Sequence, residues 1–151
     1  MPISATGNDR GFTLIELLVV LAIIAVGATA VLLSLPGPER VLRDSSERLA
    51  AQAAALRDEA VMASQPMAIR IGVGGYGFER YDGTAWIAET GKPFRHVDLP
   101  EGMAVTAEPS GEQRIRFDTT GLADPVVLSL GYQGLRRTVT VDAGGGVRLG
   151  G

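Results

Sequence analysis

The longest apolar run of the chain lies close to its start and predicts a helix. From Phe12 to Leu35 the sequence is predominantly apolar, and its single charged residue, Glu16, lies near the beginning. At a helical rise of about 1.5 Å per residue, this run is long enough to cross a hydrocarbon core of about 30 Å. The pattern therefore predicts a membrane-spanning helix over residues 12–35. Glu16 needs a polar partner there, because a carboxylate is costly to bury in lipid.

A second helix of different character is predicted beyond this run. Leu35-Pro-Gly-Pro38 interrupts the first helix, since proline removes a backbone donor and clashes with the preceding turn. In segment 36–65, an amphipathic helix is predicted from Glu39 to about Ser64, ending before Pro66. The stripe of small and apolar residues that predicts it consists of Leu42, Ser46, Leu49, Ala53, Leu56, Ala60 and Ala63. We expect this helix to be the element against which the rest of the soluble part packs.

After Pro66 the periodicity changes from 3.6 to 2, which indicates strands. The strands are predicted at residues 67–73, 76–81, 84–88, 103–107, 114–117, 126–132, 135–141 and 147–149. Residues 92–100 are expected to be irregular and to be held on the core by Phe94, Val97 and Leu99. A long helix followed only by strands predicts an α+β fold in which residues 66–151 form an antiparallel β domain.

Composition narrows the possible functions. The 151 residues leave room for one soluble domain, and a net charge of −3 gives no general attraction to nucleic acid. Cysteine is absent, which excludes disulfides, thiol catalysis and cysteine metal sites, and the single histidine, His96, argues against a histidine-based metal cluster or a catalytic triad. We therefore expect no catalytic residue, no metal and no cofactor, and we expect that the protein is not an enzyme.

One glycine pattern invites a cofactor hypothesis. Gly72-Val-Gly-Gly-Tyr-Gly77 matches the dinucleotide-binding pattern G-x-G-x-x-G. That pattern binds a pyrophosphate only where it follows a strand and opens a helix. Here the aromatic segment Phe78-Glu-Arg-Tyr81 follows, so a glycine-rich hairpin is the preferred interpretation.

Isolated charged residues of the β region are interpreted as surface residues. The acids fall in separate turns without the alternating oxygen ligands of a calcium loop; they are Asp118, Asp124 and Asp142. A basic group near the C-terminus is too small to predict phosphate binding; it consists of Arg136, Arg137 and Arg148. His96 is expected to be a solvated loop residue.

The junction between the polar first residues and the apolar run resembles a known processing signal. Gly11-Phe12-Thr13-Leu14-Ile15-Glu16 is similar to the class III prepilin signal of type IV pilins and type II secretion pseudopilins. The resemblance implies that residues 1–11 are a leader, that prepilin peptidase cuts between Gly11 and Phe12, and that Phe12 becomes N-methylated. The new α-amine would then lie four residues from Glu16. We expect the two charges to pair, within or between subunits, as an assembly contact.

The order of features in the soluble part resembles the minor pseudopilin H family of type II secretion systems. The segments that carry this resemblance are Ile69–Trp86, Arg95–Gly102, Ile115–Asp118, Gly121, Pro125–Leu130 and Val139–Val147. It implies a pilin-like fold and a non-enzymatic subunit near the tip of a short periplasmic filament that assists export of folded proteins. The chain would be a single-pass protein of the bacterial inner membrane, with its C-terminal domain in the periplasm.

The same resemblance implies the partners. They would be the lipid bilayer, prepilin peptidase, the inner-membrane assembly platform and, through the N-terminal helix, the major and minor pseudopilins, but no nucleic acid. Because the leader signal is shared by all pilin-like proteins, a type IV minor pilin that primes pili or takes up DNA is the alternative. A membrane-anchored enzyme or ligand-binding module is a remote alternative from another class.

Overall fold

The computed structural model describes residues 13–34, 36–108 and 114–151, and Gly11, Phe12 and Leu35 lie outside them. The chain divides into two compact units, residues 1–36 and residues 37–151, which are described separately.

The first unit contains one helix, α1 (Leu14–Ser34), within its described residues. Its large apolar side chains are exposed within that unit, among them Leu14 at 77%, Ile23 at 66% and Val26 at 72%. A helix that is apolar on every side has no face suited to water.

Across the three described ranges, no helix combines the length and the hydropathy that a membrane crossing demands.

The second unit begins with helix α2 (Pro38–Ala63), whose ends follow from local chemistry. Pro38 occupies the first helical position, where a missing N–H leaves no bond unmade, and Gly37 before it is extended. At the other end Ser64 adopts a left-handed conformation, with φ of 50°. The backbone N–H groups of Ser64 and Gln65 donate to the carbonyls of Val61 and Ala60, which closes the helix before Pro66.

Nine strands follow within the described residues and form two antiparallel sheets. Their bounds are β1 Met67–Gly72, β2 Gly75–Tyr81, β3 Trp86–Ala88, β4 Val97–Asp98, β5 Ala104–Glu108, β6 Arg114–Phe117, β7 Val126–Tyr132, β8 Leu135–Val141 and β9 Val147–Gly150. The first sheet has the order β3-β2-β1-β6, with β4 also paired to β2. The second has the order β5-β7-β8-β9. The predicted α+β fold with an antiparallel β part is confirmed.

Two local predictions are wrong. Residues 92–100 are not wholly irregular, because Val97 and Asp98 form β4 and pair with Tyr76 and Gly75. This pairing depends on a glycine, since a Cβ at Gly75 would overlap the carbonyl oxygen of Val97. Ala63, predicted to belong to the buried stripe of α2, is exposed in the last turn of the helix.

The core lies between α2 and both sheets. The buried positions of α2 are Leu42, Ser46, Leu49, Ala53, Leu56 and Ala60. From the sheets, Ile69, Ile115, Phe117, Leu128, Leu130, Val139 and Val141 are also fully buried. Ser46 is the polar member of the helix stripe, and its hydroxyl donates to the carbonyl of Arg43 at 2.8 Å, so its burial leaves no bond unmade.

A polar bridge fastens the middle of α2 to the first sheet. The Tyr76 hydroxyl donates to Gln52 Oε1 at 2.8 Å, and Gln52 Nε2 donates to the carbonyl of Pro93 at 3.0 Å. Burial raises the pKa of Tyr76 to about 12, which keeps the phenol neutral and able to donate. One glutamine thus holds both β2 and the segment that leads into β4.

Aspartates at the turns cap the backbone of their own loops. Asp82 Oδ1 accepts hydrogen bonds from the backbone N–H groups of Thr84 and Ala85, both at 2.8 Å. Asp118 Oδ1 accepts in the same way from Thr120 and Leu122. Because the bonds from Ala85 and Thr84 favour the ionised form, they lower the pKa of Asp82 to about 2. The pKa of Asp118 is lowered most by the Thr120 hydroxyl, which donates to Oδ1 at 2.7 Å, and then by the backbone N–H of Thr120.

Replacement of Leu49 by alanine should cost about 2–5 kcal/mol of unfolding free energy, because Leu49 is fully buried between α2 and the sheets. Chemical denaturation of the detergent-solubilised full chain, followed by the fluorescence of Trp86, measures it. Met62→Ala on the same helix is the control, because Met62 is 74% exposed and should change stability by less than about 0.5 kcal/mol. Equal effects of the two substitutions would contradict this account of the core.

The turn aspartates predict a loss of stability in acid. The folded pKa of Asp82, about 2, lies below its ordinary value of 3.8. Its stabilising contribution is therefore complete above about pH 4 and is lost as the pH falls toward 2. Urea midpoints should decline over this window, and less steeply in Asp82→Asn. Asp44→Asn is the control: it removes the same charge from the exposed face of α2, outside any turn, and should leave the decline in acid unchanged. Identical acid slopes in Asp82→Asn and the unmodified chain would refute the prediction.

Candidate functional site

The start of α1 is built around a reciprocal pair of side chains, Thr13 and Glu16. Glu16 Oε2 accepts hydrogen bonds from the backbone N–H of Thr13 at 3.0 Å and from its hydroxyl at 2.9 Å. The Thr13 hydroxyl oxygen in turn lies 3.4 Å from the backbone nitrogen of Glu16, which donates to it. This is a capping box, in which side chains at a helix start accept hydrogen bonds from backbone donors. The Glu16 carboxylate satisfies the N–H of Thr13, while the N–H of Glu16 is shared between the Thr13 hydroxyl and the Thr13 carbonyl, the latter at 3.1 Å.

The capping box changes the interpretation of Glu16. From the sequence, an assembly contact is the one role predicted for its carboxylate, yet Thr-x-x-Glu before an apolar run is a local signal for such a cap. Both bonds end on Oε2, so Oε1 has no bond to a described residue. Since Gly11 and Phe12 lie outside the described residues, the pairing of Glu16 with the α-amine of Phe12 stays a prediction.

A second polar side chain of α1 is also satisfied within the helix. The Thr29 hydroxyl donates to the carbonyl of Ala25 at 2.9 Å. Thr13, Glu16 and Thr29 therefore all direct hydrogen bonds into their own helix. The surface that α1 presents around them is formed by large apolar side chains.

The glycine-rich pattern Gly72–Gly77 forms a hairpin, as predicted. Gly72 pairs with Gly75 at the end of β1, and the chain continues directly into β2. Gly74 has a φ of +75°, which favours glycine at the turn. A Cβ at Gly75 would come within 2.9 Å of His96 Nε2, so the glycine also leaves room for that ring. His96 itself is 58% exposed, as predicted, and its Nε2 lies 3.3 Å from Asp98 Oδ1.

A crevice of about 1050 Å³ opens between the two sheets, lined by β1 and β2 on one side and by β5 on the other. Its charged residues are paired: Glu79 Oε2 accepts from Arg114 Nε at 2.7 Å, and Glu89 Oε1 accepts from Arg80 Nε at 2.9 Å. Arg114 also lies over the ring of Trp86, 5.1 Å from its centroid. These acids are engaged in structural contacts with neighbouring strands.

The three acids considered as metal ligands each have a local partner. Asp118 and Asp142 accept backbone hydrogen bonds in their own turns, the latter from Gly144 and Gly146. Asp124 Oδ2 accepts from Arg116 Nε and Nη2 at 3.0 and 2.7 Å. In the described part of the chain, no group of three or more His, Asp or Glu side chains could hold a metal ion.

Sequence comparison finds matches for both the N-terminal part and the remainder of the chain. The prokaryotic N-terminal methylation motif matches residues 6–32, which include Gly11, Phe12 and Glu16. Type II secretion system protein H of Pseudomonas aeruginosa is 34% identical over 117 residues, which covers 75% of this chain. The chain spans 66% of the length of that curated relative, just under two thirds.

Solved structures show the same fold. The minor pseudopilin EpsH from the type 2 secretion system of Vibrio cholerae superimposes with a TM-score of 0.61 and 22% identity, covering 72% of this chain and 94% of that one. The type IV minor pilin FimU of Pseudomonas aeruginosa gives 0.60 and 17%, with coverage of 73% and 88%. Escherichia coli GspH gives 0.59 and 15%, with coverage of 73% and 87%.

The match that shows the family lies in the second unit, residues 37–151. The sequence profile of the type II transport protein GspH matches residues 45–145, which contain most of α2 and nearly all of both sheets. With the helix-on-two-sheets architecture and the N-terminal motif, this match shows that the chain belongs to the GspH family of pilin-like type II transport proteins.

Proposed function

We propose that this protein is a minor pseudopilin of a type II protein secretion system, a structural subunit without enzymatic activity. The observation that carries the proposal is the GspH match over residues 45–145, the part that distinguishes one pilin-like protein from another. By this proposal the protein joins the tip region of a short periplasmic filament and assists export of folded proteins across the outer membrane.

The proposed location is the inner membrane, with one crossing formed by residues 12–35 and the C-terminal unit in the periplasm. The methylation motif over residues 6–32 supports this placement. The internal hydrogen bonds of Thr13, Glu16 and Thr29 support it too. Polar groups in a bilayer must be satisfied from within the protein.

The proposed mechanism is the transfer of one apolar helix between two apolar surroundings. In the membrane α1 contacts lipid, and in the filament it contacts the equivalent helices of the other pseudopilins. Since both surroundings are apolar, packing and polar contacts decide the transfer, as they do for helices that associate in membranes. Glu16 is the one charged residue in this helix, so it is placed to set the register.

The proposed partners follow from these steps. Prepilin peptidase removes residues 1–11 and methylates Phe12, the inner-membrane assembly platform receives the mature chain, and the other pseudopilins pack against α1. No nucleic acid and no cofactor enters the proposal.

Processing predicts a defined mature protein. In cells that contain prepilin peptidase, intact mass spectrometry should find a chain that begins at Phe12 and carries one added methyl group. Gly11→Val should leave the full-length chain uncut, because the residue before the cleavage site is replaced. Gly27→Val, a glycine inside α1, is the control and should be processed normally. A mature end at any residue other than Phe12 would overturn the assignment.

The role of Glu16 can be separated into capping and charge. Glutamine also serves in a capping box, so Glu16→Gln keeps an acceptor for Thr13 and removes only the charge. If the charge pairs with the α-amine, Glu16→Gln should lower incorporation into filaments by at least about tenfold, because one member of an ion pair in an apolar site is lost. Cross-linking to other pseudopilins in cells measures incorporation.

Matched controls identify the alternative outcome. Thr13→Ser keeps the hydroxyl of the cap and should assemble normally. The thermal midpoint of the soluble unit should stay unchanged in all variants, since residues 37–151 form a separate compact unit. Normal incorporation of Glu16→Gln together with failure of Glu16→Ala would show that capping, not charge, is the contribution of Glu16.

A type IV minor pilin is the second candidate, favoured by the fold likeness to FimU. Complementation separates the two: restored protein secretion in a strain that lacks its minor pseudopilin H supports the proposal. Restored pilus formation in a strain that lacks its minor pilin, without restored secretion, would replace it.

A further inference from the structure

Four arginines from distant parts of the sequence line one cleft of the second unit, residues 37–151, which we also call the soluble unit. Arg40 and Arg43 lie in the first two turns of α2, and Arg136 and Arg137 lie at the start of β8. Together they line a cleft of about 580 Å³, whose apolar lining consists of Leu42 and Leu135. We refer to these four residues as the arginine cluster.

The arginine cluster is a local excess of positive charge on an acidic protein. Among the described residues, Glu39 is the single acid that lines the cleft, against four arginines, whereas the whole chain carries a net charge of −3. Within the described residues, no carboxylate oxygen lies within 4.0 Å of a side-chain nitrogen of Arg40, Arg136 or Arg137. Arg43 has only long contacts, 3.7 Å to Asp44 and 3.8 Å to Glu47. Among the residues that the structure describes, three of the four arginines therefore have no ion pair.

The position of the arginine cluster in the chain indicates which anion it meets. Helix α1 ends at Ser34 and α2 begins at Pro38, so only residues 35–37 separate them. Arg40 and Arg43 thus lie within the first two helical turns after this short break, and packing of β8 beside α2 brings Arg136 and Arg137 to them. Basic clusters beside a membrane helix are best known on the cytoplasmic side, where they bind anionic lipids through charge. The same attraction acts at any bilayer surface that carries anionic headgroups, and it falls off within a Debye length.

The chemistry of arginine fits the same ligand. The guanidinium group stays charged and offers a planar fork of donors that matches the oxygens of a phosphate group. Leu135, which is half-buried, supplies apolar surface beside the fork, as at the boundary between headgroups and acyl chains.

We propose that the arginine cluster binds the phosphate headgroups of anionic phospholipids at the surface of the bilayer that holds α1. This inference rests on the proposed membrane anchorage of residues 12–35. The contact would hold the soluble unit at the membrane surface until the subunit leaves the bilayer for the filament.

The test uses the purified full chain in nanodiscs. One set contains phosphatidylcholine alone, and the other contains phosphatidylcholine with phosphatidylglycerol. Thermal unfolding of the soluble unit is followed by the fluorescence of Trp86, the single tryptophan. Phosphatidylglycerol should raise the midpoint by about 3–6 °C, because a ligand that binds the folded state stabilises it. The rise should disappear in high salt, which screens exposed charges.

Variants locate the effect. Arg136→Gln/Arg137→Gln should abolish most of the rise while keeping the midpoint found in phosphatidylcholine. The control is Lys92→Gln/Arg95→Gln, which removes the same charge from an exposed segment outside the cluster and should keep the rise. Hydrogen exchange should show that phosphatidylglycerol protects residues 38–43 and 132–137 in the unmodified chain.

Four outcomes would overturn the proposal. Equal midpoints in both nanodiscs would refute the lipid contact and leave the proposed function standing, whereas a chain that does not stay with nanodiscs on gel filtration would refute both. A rise of the same size from inorganic phosphate in phosphatidylcholine nanodiscs would make the cluster a free-anion site. A gel shift of double-stranded DNA that the arginine variant abolishes would assign it to nucleic acid.

Discussion

The soluble unit depends on one contact, the packing of the small-residue stripe of α2 against two sheets. Leu42, Leu49 and Leu56 supply the apolar volume, and Ala53 and Ala60 between them bring backbone and sheet close together. All five are at most 2% exposed, so this face of α2 is covered completely. Interiors packed to this extent lose stability when even one methylene group is removed. The sheets are thus held in place by a single helix, and the residues that meet at its ends and its middle are fixed with it.

Sequence periodicity predicted the architecture because the two faces of each element differ in polarity. The stripe from Leu42 to Ala60 repeats with helical spacing, and the alternation after Pro66 places strands within a few residues of their observed bounds. The missed strand pairing involves atoms that are close in space and not in sequence. The pairing of β4 with β2 depends on the absence of a Cβ at Gly75, which periodicity does not reveal.

The candidate sites also differ in whether their residues are close in the sequence or only in the folded structure. The capping box could have been found, since Thr13 and Glu16 are three residues apart and the pattern is local. The arginine cluster could not, because Arg40 and Arg136 become neighbours only when β8 packs beside α2. Taken along the chain, Arg136, Arg137 and Arg148 were too few for a phosphate site. In the structure Arg148 instead pairs with Asp142, and two arginines of α2 join the cleft in its place.

The capping box also bears on how a charged residue can remain in an apolar helix. An unpaired carboxylate would oppose membrane insertion, but Glu16 Oε2 already accepts two hydrogen bonds from Thr13 within the same helix. These bonds satisfy one oxygen and leave the net charge in place, so a cation is still favoured next to Oε1. A cap within the helix therefore does not compete with the charge partner that we propose, the α-amine of Phe12 of the same or another subunit. The cap holds the Glu16 carboxylate in one orientation. Less conformational entropy is then lost when that carboxylate forms an assembly contact.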